Sequence, residues 1–151
     1  VSAAVLSAPI SLDPSAYPTL PSLGLLDELN ASRDLRGATF SVLGYGIEEK
    51  PTPAHGQWSG VFSGERRIGT FGFFALDNRF IHESQRIHQG QDGACNGDSG
   101  GPSLLQIGAT TYVVGVTSSG DIPCYATNTA TRTDTDEALA LLLEVLDEIR
   151  E

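Results

Sequence analysis

The stretch Gly93-Ala94-Cys95-Asn96-Gly97-Asp98-Ser99-Gly100-Gly101-Pro102 holds the residues best suited to chemistry. One serine stands among Gly97, Gly100 and Gly101, with Asp98 before it and Pro102 soon after. Glycine reaches φ > 0 and lets the backbone approach a ligand closely. Three of them around one hydroxyl predict a turn whose N–H groups face a substrate. Ser99 in such a turn can act as an acyl-transfer nucleophile, with the N–H groups of Gly97 and Ser99 converging as an oxyanion hole. A lone glycine cluster usually marks no more than a surface turn. The unbroken run Gly97–Pro102 makes the functional reading the stronger one.

Gly97-Asp98-Ser99-Gly100-Gly101 also fits the nucleophile elbow G-x-S-x-G. That fold needs a helix directly after the serine, with its acid and histidine later in the chain. Here Pro102 and a strand-like pattern follow, and no histidine lies beyond Ser99. The elbow reading fails.

The elements around this stretch read as mostly β. The chain has 151 residues, 40% of them hydrophobic, which allows one domain with a real core. With 17 Gly, 8 Pro and a charged fraction of 19%, a turn-rich β protein is expected. The net charge of -10 argues against nucleic acid or an anionic membrane surface as partner. Much of it is local: residues 134–151 carry seven acids against Arg150, about -6 of the -10.

Residues 1–25 read as one strand, with Val1–Leu6 at its middle, leading into a connector punctuated by Pro9, Pro14, Pro18 and Pro21. Asn30-Ala31-Ser32 matches a glycosylation acceptor, a pattern common by chance. A strand is expected over Gly37–Gly46 and a surface loop over Glu48–Gln57. Arg67–Leu76 and Arg79–His82 form a hairpin candidate about Asp77-Asn78. Ser103–Ile107 and Thr111–Thr117 form another across Gly108-Ala109-Thr110, and Asn128–Thr133 is a last short strand. Leu139, Leu142, Leu143, Leu146 and Ile149 recur at helical spacing, so 135–150 is an amphipathic helix. Asp134-Thr135-Asp136-Glu137 has capping-box form with Asp134 as the cap. No stretch is long enough to span a bilayer, and the first residues lack the basic region of a signal peptide.

The run Gly97–Pro102 resembles the nucleophile motif of the trypsin-like (chymotrypsin-family) serine proteases, with support from Leu43-Gly44-Tyr45-Gly46 and from the second cysteine. The resemblance implies an all-β fold: the second antiparallel barrel of the two-barrel trypsin-like architecture, closed by a C-terminal helix. It divides the chain into 1–25 (last strand of the first barrel and connector), 26–133 (barrel carrying the nucleophile) and 134–151 (helix). Cys95 and Cys124 are the only cysteines. The family pairs them as a disulfide framing the substrate pocket, a closure contributing roughly 3–4 kcal/mol by chain entropy. The alternative is two buried free thiols in a cytosolic protein. A disulfide implies an oxidising, extracellular or periplasmic setting.

Trypsin-like enzymes place histidine, then aspartate, then serine along the chain, the first two in the other barrel. The histidines here are His55, His82 and His88. The order His55, Asp77, Ser99 exists formally, but these histidines read as surface or loop residues. Aligning the family's Asp-x-Ala-x-x-x-Leu strand on Leu6 places the catalytic aspartate just before Val1, so the first barrel is expected upstream of this chain. The resemblance makes Ser99 the nucleophile and Gly97 an oxyanion donor. It makes Asp98 the support of the oxyanion loop, through pairing with an N-terminal ammonium. Substrate contacts fall on Gly93, Ala94, Asn96, Ser118, Ser119, Gly120 and Ala130, with Gly93 at the pocket base and Ser118–Gly120 as wall. A base without a carboxylate favours aromatic or large aliphatic substrate side chains. Asp92, one position earlier, gives a basic preference if the loop is one residue shorter. No metal set or cofactor is expected; the partner is a protein or peptide substrate. Two function classes follow: a serine endopeptidase acting through an acyl-enzyme, of which this chain is a piece lacking the base, or a non-catalytic trypsin-like fold that binds a protein partner.

Overall fold

Alternation of inward apolar and outward polar residues builds the barrel of this chain from antiparallel strands. The computed structural model describes residues 1–13, 16–49, 60–122 and 124–150. The strands are β1 (Thr39–Gly44), β2 (Glu48–Glu49), β3 (Gly60–Val61), β4 (Arg67–Leu76), β5 (Phe80–Ser84), β6 (Pro102–Ile107), β7 (Thr110–Gly120) and β8 (Thr127–Arg132). Two helices flank them, α1 (Leu25–Ala31) and α2 (Asp136–Arg150). Six strands close into a barrel in the order β1-β4-β5-β8-β7-β6, with β1 pairing to both β4 and β6. β2 and β3 form a separate two-stranded sheet.

The core lies inside the barrel. Phe40, Val42, Phe71, Ile81, Leu105, Val114 and Ala130 point inward and are buried. Leu26 and Leu35 close one side from α1 and the 3-10 turn Asp34–Gly37. A polar bracket also crosses the interior. Glu83 on β5 is fully buried and accepts from Ser103 Oγ on β6 and from Asn128 Nδ2 on β8, the latter at 2.7 Å. Since β5 and β6 stand three places apart in a ring of six, this contact spans the barrel.

The hairpins match the expected pattern with small shifts. β4 and β5 turn at Asp77-Asn78, where Asp77 Oδ1 accepts the N–H groups of Arg79 and Phe80 at 2.8 Å each. β6 and β7 turn at Gly108 (φ 59) and Ala109. β7 runs to Gly120, three residues beyond the expected end, because pairing with β8 continues past a bulge at Thr117–Ser119.

Three features depart from the sequence reading. Val1–Leu6, expected as the last strand of a first barrel, is irregular and exposed and belongs to none of the strands of this barrel. Thr19 is bonded to the barrel: its N–H donates to Thr111 O and its carbonyl accepts from Val113 N–H. Helix α1, begun at Gly24 in the left-handed conformation (φ 73), was not expected. Seven residues carry too little periodicity, and its support comes from far along the chain: Leu26 N–H donates to Asp134 Oδ2 at 2.8 Å. That contact also overturns the capping box. Asp134 turns to Leu26 and Arg132, and Thr135 caps α2 through Ala138 N–H and Leu139 N–H. Residues 50–59, with His55, Trp58 and most of the expected Glu48–Gln57 loop, lie outside the described residues.

Candidate active site

Ser99 sits on the turn that leads into β6, held between β1 and β7. Gly100 N–H donates to Thr117 O at 2.8 Å, and Thr117 N–H returns a bond to Gly101 O at 2.9 Å. Asp98 N–H closes the preceding turn on Cys95 O at 3.0 Å, and Ile47 N–H reaches Asn96 O at 2.9 Å. The backbone needs glycine at two points, with φ 101 at Gly97 and φ 87 at Gly100. A Cβ on Gly97 would also come within 2.8 Å of the Phe62 ring. Ser99 is exposed. Among the described residues, its hydroxyl, its N–H and the N–H of Gly97 take part in no hydrogen bond. Two unpaired donors beside an exposed hydroxyl are the elements of an acyl-transfer site.

Asp98 faces away from solvent into a cradle of glycines. Its Oδ1 accepts Gly46 N–H at 2.7 Å, and its Oδ2 accepts Cys95 N–H at 2.9 Å. A Cβ on Gly44 would lie 1.8 Å from Asp98 Oδ1, and one on Gly46 would lie 2.3 Å from Oδ2. The run Leu43-Gly44-Tyr45-Gly46 thus leaves the carboxylate the space it occupies. A cavity of about 360 Å³ opens here, lined by Asp98, Gly93, Ala94, Asp92 and Gln85. Glu48, at the same cavity, is joined to Arg67 at 2.7 Å.

The cysteines are bonded: Cys95–Cys124 links positions 29 residues apart, with Cα atoms at 5.4 Å. The bridge ties the serine turn to the segment after β7. That segment is organised by Asp121, which accepts the N–H groups of Tyr125 (3.0 Å), Ala126 (3.0 Å) and Thr127 (2.6 Å). Burial raises the Asp121 carboxyl, but these donors outweigh it and hold the group below its ordinary range. Gln85, fully buried at the end of β5, accepts Ala94 N–H at 3.1 Å. A Cβ on Gly93 would meet Gln85 Oε1 at 2.6 Å, so a neutral amide backs this glycine.

The other residues assigned by resemblance divide between surface and core. Asn96, Ser118, Ser119 and Gly120 are exposed, the last three at the end of β7. Ala94 is buried, and Ala130 is fully buried in the core beside Gly115. Gly44, Gly46, Gln85 and Asp121 were not named from the sequence as site residues. Only the glycine spacing in Leu43–Gly46 carried a local signal, and what the glycines make room for is 52 residues further on.

No described histidine bonds to Ser99. His82 Nε2 lies 3.0 Å from Asp77 Oδ2, and Nδ1 lies 3.2 Å from Thr129 Oγ1, on the outer side of β5. The Arg79 N–H, with His82 and Phe80, holds the Asp77 carboxyl down at about 2. His88 is exposed on a short 3-10 turn (Ile87–Gln89).

A closed six-stranded antiparallel barrel, a C-terminal helix and a glycine-framed serine on a disulfide-tied turn define the trypsin-like class. A family model described as Trypsin matches residues 28–139, well over half of the chain. The chain belongs to the trypsin family, and by family it is a hydrolase of the serine-protease type. The disulfide and the family are compatible with an extracellular location.

Proposed function

We propose that this chain supplies the nucleophile and oxyanion donors of a secreted serine endopeptidase. The observation that carries this reading is Ser99 itself, exposed and unbonded beside the unpaired N–H groups of Gly97 and Ser99. The Ser99 Oγ attacks a scissile carbonyl carbon as its proton passes to a base. The tetrahedral oxyanion settles on the two N–H groups, the amine leaves with the proton, and water then releases the acyl group from Ser99. The base and its orienting acid come from outside the described residues, from a first barrel packed against this one, because His82 is engaged by Asp77 and Thr129. Asp98, locked onto the Gly46 and Cys95 N–H groups, shapes the turn, and an ammonium entering the adjoining cavity would complete it.

On this reading substrate backbone pairs along Ser118–Gly120, with Asn96 at the pocket rim and Gly93 and Ala94 toward its base; Ala130, expected there too, lies in the barrel core instead. Gly93 brings no carboxylate, and the Gln85 amide behind it is neutral. A neutral base of this kind favours apolar substrate side chains, and Asp92, which lines the same cavity, is the carboxylate that would favour a basic one instead.

Fluorophosphonate labelling tests the assignment. The isolated chain should label slowly, and a complete protein with a histidine and aspartate upstream should label rapidly at Ser99. Ser99→Ala should abolish the adduct in both. Rapid Ser99 labelling of the isolated chain would place the base within these 151 residues. A complete protein that never labels would favour the non-catalytic binding fold.

A further inference from the structure

A second cavity, of about 350 Å³, lies between Arg36–Thr39, β4 and the segment from Ser84 to Gln91. Its lining holds two arginines and no carboxylate, in a chain with 19 acids and 9 bases. Arg36 and Arg86 are exposed, and among the described residues neither guanidinium has an ion pair or a hydrogen bond. Gln91 presents a third donor. Its Oε1 accepts from Ser84 Oγ and from Arg86 N–H, each at 2.9 Å, which fixes the amide's orientation. Nε2 is thereby directed over Gly72, where a Cβ would approach it to 2.3 Å. Gly72 leaves room for the amide, and Nε2 has no acceptor among the described residues. Phe73 and Phe74 form an apolar wall, with Phe74 55% exposed.

We propose that this cavity binds a carboxylate-bearing peptide segment, with an acidic side chain on Arg36, Arg86 and Gln91 and an apolar neighbour against Phe74. Guanidinium forks match a carboxylate in a bidentate way, and charge-assisted bonds of this kind are the strong ones. The donors alone suit any oxyanion. The aromatic wall beside them favours an anion carried on an apolar scaffold over a bare inorganic one. A net charge of -10 repels acidic peptides in general, so binding of one reports a local site. The inference goes beyond the peptidase reading and does not depend on Ser99.

Fluorescence anisotropy of a rhodamine-labelled Glu-Glu-Phe-Glu peptide, titrated with the full chain at physiological salt, tests it. The acidic peptide should bind and its Gln-Gln-Phe-Gln counterpart should not. The double variant Arg36→Gln/Arg86→Gln should weaken binding by about tenfold or more. Arg33→Gln/Arg66→Gln removes the same charge outside the cavity and should change it by less than about twofold. Gln91→Glu should abolish binding while the circular dichroism spectrum is kept. Equal losses in the two double variants would reduce the effect to net charge and overturn the site. So would unchanged binding after Arg36→Gln/Arg86→Gln, or no binding by the parent chain. Sodium sulfate displacing the peptide at or below the peptide's own Kd would make this a small-anion site instead.

Discussion

Asp98 shows how tightly one carboxylate can constrain its surroundings. It is bonded to two backbone N–H groups, and two glycines leave it its space. A methyl at Gly44 would occupy the position of Asp98 Oδ1, so Gly44→Ala must expel the carboxylate and orphan the Gly46 and Cys95 donors. The expected cost is about 1–3 kcal/mol, read as a lower urea midpoint at constant slope. An unchanged midpoint would mean that the turn relaxes freely. Glu83 is the second residue with a sharp consequence. Burial pushes its carboxyl up to about 7, against the opposing bonds from Ser103 and Asn128. The folded state thus keeps the proton while the unfolded chain releases it near the ordinary value of 4.5. Stability is fullest below that value, falls as pH rises through the window up to about 7, and is level above it. Glu83→Gln should flatten that window and make the protein more stable than the parent at pH 8, by on the order of 3 kcal/mol. Thermal unfolding of both proteins from pH 4 to 8 checks it, and parallel curves would refute the assignment.

Among the elements, α1 depends most on distant contacts. Its first turn is held by Asp134, and Asp134 is in turn bound by the buried Arg132, which also reaches Asp27 and the carbonyl of Asp77. The Asp134 and Asp27 carboxylates raise the Arg132 pKa despite its burial. Asp134→Ala would remove the better-buried of the two carboxylates from Arg132 and leave Leu26 N–H without its acceptor. A loss of about 3–5 kcal/mol is expected. Asp27, whose side chain is 64% exposed, should cost less than about 1 kcal/mol when replaced by alanine. Equal costs from chemical denaturation would show that burial does not set the strength of this network. α2 behaves differently: its leucine spacing was legible, yet its cap is Thr135, because Asp134 is more strongly recruited across the fold.

At the scale of the molecule, the barrel is well filled but its surroundings are not. Val1, Val5, Leu6, Ile10, Leu12, Tyr17, Leu20 and Leu23 are exposed, and so are Tyr45, Phe62 and Ile122. Apolar surface of this extent fits a protein that packs against another unit, in keeping with the proposed first barrel. The chain by itself should therefore be poorly soluble. Removing residues 1–12, which are exposed and precede the backbone bonds of Thr19 to the barrel, should raise the soluble yield without lowering the thermal midpoint. A sharp, monomeric unfolding transition of the full chain at high concentration would count against a partner for this face.

The sequence by itself determined the glycine-framed turn at Ser99, the trypsin-like class, the barrel hairpins and the terminal helix. Each of these rests on local signals: glycine and proline at fixed places, alternation of period two, leucines at helical spacing. Tertiary structure alone decided where Asp98 and Asp134 turn and that seven residues after Gly24 coil into a helix. It also placed Gln85 behind Gly93 and gathered Arg36, Arg86 and Gln91 around one cavity. The physical reason is common to all of these. A carboxylate or amide takes the best donors or acceptors that folding brings to it, and those lie up to 108 residues away, as between Asp134 and Leu26. A strand, likewise, exists only where a neighbouring edge receives its hydrogen bonds.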